Sequence, residues 1–293
     1  MDDQVLLLAL GSNFFFALGS QFFTYFSKKI GATWMNWYKA YVAQICFVAW
    51  LLLKGGLIWL PLAQGGPLML SGLIGLGAGD VLLLLAFKEM GPGRTLMLFA
   101  FQPLLVGIGA FFLFGQSIDT TRFWAIFFFI LCILIFSLES FKKERHWGSR
   151  GILLALGGMA LDGAGVLITR KVFDGDASLS PLLTNFYRTM GALIFFYVLA
   201  LKRKDLKLFL PLKSLPSKEI VGVTLGALFG TFISLSLYLA AVQHAHLASL
   251  SGVAITGTIF SAFFECIWQK RFPTRYLIAA FVSFLLGMKI LVF

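Results

Sequence analysis

The sequence predicts an all-α integral membrane protein of ten transmembrane helices, arranged as two inverted five-helix repeats. Three observations predict it: apolar runs long enough to cross a bilayer, basic residues concentrated in alternate connections, and phrases that recur half a chain apart. The composition is 59% hydrophobic and 13% charged over 293 residues, too little polar surface to cover a water-soluble globule of that size. The mean hydropathy of +0.89 points the same way. A hydrocarbon core of about 30 Å takes about 20 helical residues to cross. Backbone groups in lipid must be satisfied internally, and the runs lack the strict alternation of a transmembrane barrel, so they read as helices.

Taken in order, the runs are 4–27, 33–53, 67–87, 93–114, 121–139, 150–171, 180–201, 217–241, 246–269 and 274–292. The first opens M-D-D-Q, acidic where a secretory signal is basic, and has no small-residue cleavage pattern, so it reads as a retained helix. The later boundaries fall where Pro, Gly, Lys and Arg collect. Lys28, Lys29 and Gly31 separate helices 1 and 2, Lys54 to Pro61 separates 2 and 3, and Lys88 to Arg94 separates 3 and 4. In the second half Lys202 to Pro216 separates helices 7 and 8, and Lys270, Arg271 and Pro273 separate 9 and 10.

The net charge of +11 raises the question of nucleic acid, and its distribution answers it. Connections after helices 1, 3, 5, 7 and 9 hold 17 Lys and Arg, and the opposite side holds 5, with Lys39 and Arg188 set aside as intramembrane candidates. Topology signals beside anionic headgroups therefore account for the excess, and no nucleic-acid partner is implied. The positive-inside rule puts the basic side in the cytoplasm and both termini outside, in a cell (inner) membrane. Cys46, Cys132 and Cys266 lie inside the runs without a C-x-x-C spacing, and His244 and His246 share one short connection without further ligands, so neither disulfide, metal nor cofactor is expected. No G-x-x-x-x-G-K-[ST] loop is present, which argues against transport driven by ATP within this chain.

The repeat holds its offset over separate phrases. L-L-A-L-G at 7–11 returns at 153–157, N-W-Y-K at 36–39 returns as N-F-Y-R at 185–188, and T-R-F at 121–123 returns as T-R-Y at 274–276. The offset grows slowly along the chain, and Gly77 meets Gly230 at the last of these spacings. Two copies, residues 1–145 and 146–293, therefore carry five helices each. An odd number sends the second copy into the membrane from the other side, the inverted architecture of secondary transporters, with a site near the midplane.

Residues 75–94, G-L-G-A-G-D-V-L-L-L-L-A-F-K-E-M-G-P-G-R, and F-Q-P-L-L at 101–105 resemble the drug/metabolite transporter superfamily, specifically its EamA-type members. The resemblance spans nearly the whole chain and implies a non-enzymatic ten-helix secondary transporter, an exporter of a small polar or amphipathic metabolite. Its small-residue motifs carry fold rather than substrate. The family's common Gly-Glu at the end of helix 4 is here Gly115-Gln116, so no role passes from that glutamate, and the position equivalent to Pro103 in the second half is Thr256. Family members are often drawn with cytoplasmic termini, opposite to the charge count.

Substrate chemistry belongs where the copies differ. Asp162, Asp80 and Glu265 are carboxylates within apolar runs whose counterparts are Phe16, Ile233 and Phe112. An acid at bilayer depth is costly and marks a cavity or a proton path, with helix packing as the plainer use of Asp162 and Asp80, and snorkelling toward Lys270 that of Glu265. Lys39 and Arg188, behind Tyr38 and Tyr187, either neutralise an anionic group, pair with Asp162 or Asp80, or anchor at headgroup level. Asn13, Gln21, Gln44, Gln102 and Tyr238 line a cavity or hydrogen-bond between helices. A lipid flippase, a non-catalytic membrane subunit and a membrane-embedded lipid enzyme are the alternatives, the last without a cluster of acids or metal ligands to support it. The expected partners are a small-molecule substrate and membrane lipids, around a monomer or weak dimer.

Overall fold

The computed structural model describes residues 2–90, 101–115, 149–203, 206–247, 256–268 and 274–292, with scattered positions between them. Among the described residues the regular structure is helical throughout. Helix α1 (Asp3–Lys29) starts at Asp2, whose carboxylate accepts the Gln4 amide, and ends on Lys28 and Lys29, each charge complementing the helix dipole. A two-residue turn leads into α2 (Ala32–Leu53), and Gly31 makes it with φ of 142°, a conformation that disfavours any β-carbon. Helix α3 (Leu62–Met90) begins a turn earlier than the expected 67, because the Gln64 and Gly65 amides bond to the Pro61 carbonyl and hold the turn ahead of Pro67.

Helix α4 (Gln102–Phe114) closes on Gly115 in the left-handed conformation. The second half supplies α5 (Ser149–Gly175), α6 (Pro181–Lys202) with proline at its first position, α7 (Ser217–His244), α8 (Thr256–Trp268) and α9 (Arg275–Val292). Of the run expected over 121–139, the described positions are helical and the others lie outside the described residues. Among the described residues five helices, α1, α3, α5, α6 and α7, are long and apolar enough to cross a membrane. Exposed Phe112, Leu153 and Leu201 are what a lipid-facing surface requires.

Both third helices contain a π-helical segment, Leu73–Gly79 in α3 and Leu228–Ile233 in α7, and the pair Gly77 and Gly230 falls inside them. The helices also exchange partners between halves. Helix α1 runs antiparallel to α7: Ser12 bonds Ser234, Lys29 bonds Glu219, and a β-carbon on Gly19 would fall 2.4 Å from the Gly230 Cα. Helix α5 runs antiparallel to α3: Thr169 bonds Ser71, and a β-carbon on Gly165 would fall 2.9 Å from the Ser71 carbonyl. Small residues thus bring backbones together where side chains would hold them apart.

Two apolar clusters cap this arrangement. One joins the end of α1 (Phe23, Phe26), the start of α2 (Trp34) and the end of α3 (Phe87) to the start of α7 (Val223). The other joins the end of α2 (Leu51), the start of α3 (Leu68) and the end of α5 (Phe173) to the end of α7 (Val242). The first lies at the end that carries Lys28, Lys29, Lys88 and Lys218, called the basic end below. Polar residues occupy the layer between the clusters.

Candidate functional site

The repeated phrase begins with an amide that serves the π-helical turns. Asn36 Nδ2 donates to the Leu76 and Gly77 carbonyls at 2.9 and 3.0 Å, and Asn185 Nδ2 donates to the Leu235 carbonyl at 2.8 Å, just past the second π segment. A π turn shifts the ladder register, and these buried amides supply donors to carbonyls beside the shift.

Its last word is a buried cation, and here the halves part. Lys39 Nζ donates to Asp80 Oδ2 at 2.5 Å, and Asp80 is the first residue after the π segment of α3. The two residues are 3% and 8% exposed, so Lys39 sits inside the bundle rather than at headgroup level. In the second half Ile233 stands where Asp80 stands in the first, and Arg188 has no such acid. Arg188 Nε donates to Ser71 Oγ at 3.0 Å, while Nη1 is buried without a partner. Its charge interacts with those of Asp162 and Asp80 through space, without an ion-pair contact to either among the described residues.

The two tyrosines point elsewhere. Tyr38 Oη shares a hydrogen bond with Thr224 Oγ1 at 2.8 Å, and Tyr187 Oη accepts the Leu60 amide at 2.7 Å. Neither they nor Arg188 line the cavity that Asn13, Lys39, Asp80, Gln102, Asp162 and Tyr238 surround.

That cavity, of about 120 Å³, lies between the halves. Asn13 and Phe16 of α1, Lys39 of α2, Leu76 and Asp80 of α3, Gln102 of α4, Asp162 of α5, Thr231, Ser234 and Tyr238 of α7, and Thr258 of α8 all face it. Asp162 Oδ2 accepts from Gln102 Nε2 at 2.8 Å, and its other oxygen meets no donor among the described residues. Asn13 Nδ2 donates to the Val253 carbonyl at 3.0 Å and to Thr256 Oγ1 at 2.9 Å, so the hydroxyl standing where the first half has Pro103 anchors α1 to α8. Gln21 and Gln44 bond between helices, to Ser261 and Thr189. The side chain of Glu265 and the whole of Arg94 lie outside the described residues.

The cavity therefore gathers Asn13, Lys39, Asp80, Gln102, Asp162 and Tyr238. Sequence reasoning missed its hydroxyls, Ser12, Thr231, Ser234 and Thr258. Serine and threonine in apolar helices ordinarily bond their own backbone, so nothing in their spacing separates those that turn to a cavity. The available signal was position, since Thr231 adjoins Gly230, the repeat partner of Gly77.

A sequence model described as the EamA-like transporter family matches residues 4–138 and, a second time, residues 149–293. The chain belongs to the EamA-like transporter family. It is a membrane protein of two duplicated EamA units, and membership points to transport of a small molecule rather than to enzymatic turnover. Among curated proteins no match was found. Among solved structures 29 chains match. One, titled "Crystal structure of protein", is similar over 100% of this chain and 97% of its own length, with a TM-score of 0.76 at 13% identity. At that identity the likeness carries the fold of this EamA-like transporter and nothing about its substrate.

Proposed function

We propose that the chain is a secondary active transporter, an exporter of a small polar or amphipathic metabolite, that alternates access to the Asp162 cavity by rocking two inverted five-helix halves, residues 1–145 and 146–293. The inversion is supported by the two crossings. Helix α1 opposes α7 and α5 opposes α3, so the equivalent helices α1 and α5 point in opposite directions across the layer. The basic end faces the cytoplasm by the positive-inside rule.

The observation that carries the reading is the state of the carboxylates. Lys39 and Asp80 satisfy each other, whereas Asp162 offers to a cavity between the halves an oxygen that meets no donor among the described residues. An intramembrane acid so placed binds a cationic substrate group or a coupling proton. Asp162→Asn keeps the size and the acceptor for Gln102 while removing the titratable charge. Flux of a metabolite panel in proteoliposomes, with and without a pH gradient, should collapse in this variant while its unfolding profile stays that of the wild type. Wild-type flux with unchanged pH dependence would make Asp162 a packing residue.

A further inference from the structure

The contacts between halves outside the cavity repeat with the sequence. At the basic end, Lys29 from the end of α1 bonds Glu219 at the start of α7 at 2.6 Å, and Tyr38 from the start of α2 bonds Thr224, one turn further along α7. At the other end, Asp176, one residue past α5, accepts from Gln64 Nε2 at the start of α3 at 3.2 Å. There Tyr187, from the start of α6, takes the amide of Leu60, two residues ahead of α3. Each end thus has a tie from the first helix of one half to the third helix of the other. Each also has a tyrosine from the second helix fastened across the same boundary.

We infer that these are two matched latches, that Tyr38 and Tyr187 are positioning residues that each hold one entrance to the cavity shut, and that transport releases them one at a time. The inference rests on the alternating-access reading and adds which bonds break at which face. The physical reason is the inversion itself. A rocking motion that separates α2 from α7 at the basic end brings α6 and α3 together at the other, so one tyrosine loses its partner as its counterpart keeps it. Both latches are made in this structure. This also explains why the repeated phrase keeps its tyrosine although neither tyrosine lines the cavity. The phrase positions an amide for the π segment, a cation for the middle layer and a hydroxyl for the latch.

The latches differ in chemistry. The basic end carries an ion pair with side-chain exposures of 40% and 24%, open enough to solvent for salt to screen it. The opposite latch consists, among the described residues, of hydrogen bonds without an ion pair between the halves. High salt therefore loosens the first selectively.

The experiment places a single cysteine in the cavity, Thr258→Cys, in a chain whose Cys46, Cys132 and Cys266 are replaced by alanine. A membrane-impermeant maleimide is applied to right-side-out and to inside-out vesicles. Tyr38→Phe, which removes only the hydroxyl, should raise labelling about three- to ten-fold from the basic face and leave the other face unchanged, the range a single net hydrogen bond sets. Tyr187→Phe should do the reverse. Thr224→Val should match Tyr38→Phe, and the double variant should add nothing, because both remove one bond. Labelling raised equally at both faces, or at neither, would overturn the latches. Should either phenylalanine variant fail to insert, Glu219→Gln together with the salt dependence of wild-type labelling at the basic face carries the same decision. A face-specific pattern without flux of any metabolite would keep the latches and sink the transport reading. Flux without a face-specific pattern would do the opposite.

Discussion

Removing one member of the Lys39–Asp80 pair should destabilise the protein more than removing both. The pair is held at 2.5 Å with side-chain exposures of 4% and 11%, and Nζ also lies 5.1 Å over the Phe23 ring. Asp80→Asn leaves an ammonium among Phe23, Leu76 and Leu83 with no counterion in contact, and Lys39→Met leaves a carboxylate in the same place. Breaking a buried pair costs about 3–5 kcal/mol, a shift of about 150- to 5,000-fold in the folding equilibrium, because the surviving charge is stranded. Replacing both members by apolar residues of similar volume is neutral or stabilising. Unfolding of purified protein in detergent, followed by tryptophan fluorescence, should show each single variant destabilised by about 3 kcal/mol or more. The double variant Lys39→Met with Asp80→Leu should return to within about 1 kcal/mol of wild type. Additive losses in the double variant would refute the argument, and so would single variants within 1 kcal/mol of wild type. The first outcome would mean that each residue acts through separate neighbours, the second that water reaches and screens the pair.

Gly19→Ala should reduce folded yield and lower stability by about 3 kcal/mol, since its β-carbon meets Gly230 backbone at 2.4 Å, whereas Gly175→Ala, with nothing within 4 Å, should stay within about 1 kcal/mol in the same unfolding assay. Asp176 is held below the usual carboxylate range by the Ser178 hydroxyl and amide, with Gln64 adding to the effect. A depressed folded pKa means that its contribution is present above the unfolded value and lost as pH falls through the folded one. Protection of the 176–179 turn against hydrogen exchange, taken relative to the intrinsic rate at each pH, should therefore stay level from pH 7 to pH 5, and Ser178→Ala should move the onset of acid loosening upward. A cysteine placed in the 202–218 connection should resist a membrane-impermeant reagent in intact cells, and ready labelling would reverse the orientation read from the charge count.

The duplication was legible because its phrases serve the scaffold of both halves. Asn36 and Asn185 each donate to backbone in or just past a π segment, and Gly77 and Gly230 sit in equivalent π segments, so the residues recur with the geometry. The carboxylates were legible for the opposite reason. An acid in an apolar run stands out by its cost, and two of the three chosen, Asp80 and Asp162, line the cavity. The π segments themselves were not legible, since L-I-G-L-G-A-G and L-F-G-T-F-I read as ordinary small-residue helix. What distinguishes them is a change of hydrogen-bond register that depends on Asn36 and the neighbouring helix arriving from elsewhere in the chain. The partners of Tyr38 and Tyr187, Thr224 and the Leu60 amide, are not legible in the sequence because they are fixed only when the halves dock.

The departure from symmetry at residue 233 gives the central layer its electrical character. Had the second half kept an acid there, Arg188 would pair as Lys39 does, in a second closed ion pair. With Ile233 in place, the carboxylates that act on Arg188 through space are Asp80, already paired with Lys39, and Asp162, on a different helix and not in contact among the described residues. The separation is what keeps Asp162 available. A contact pair would be locked in one geometry, whereas an acid steadied at a distance can exchange its partner for a substrate ammonium or a proton without stranding the guanidinium entirely. Ile233→Asp should therefore capture Arg188 and silence the site while the fold stays intact. Flux should fall as far as in Asp162→Asn although Asp162 is untouched, and flux at the wild-type level would show that Arg188 has no part in holding the carboxylate ready.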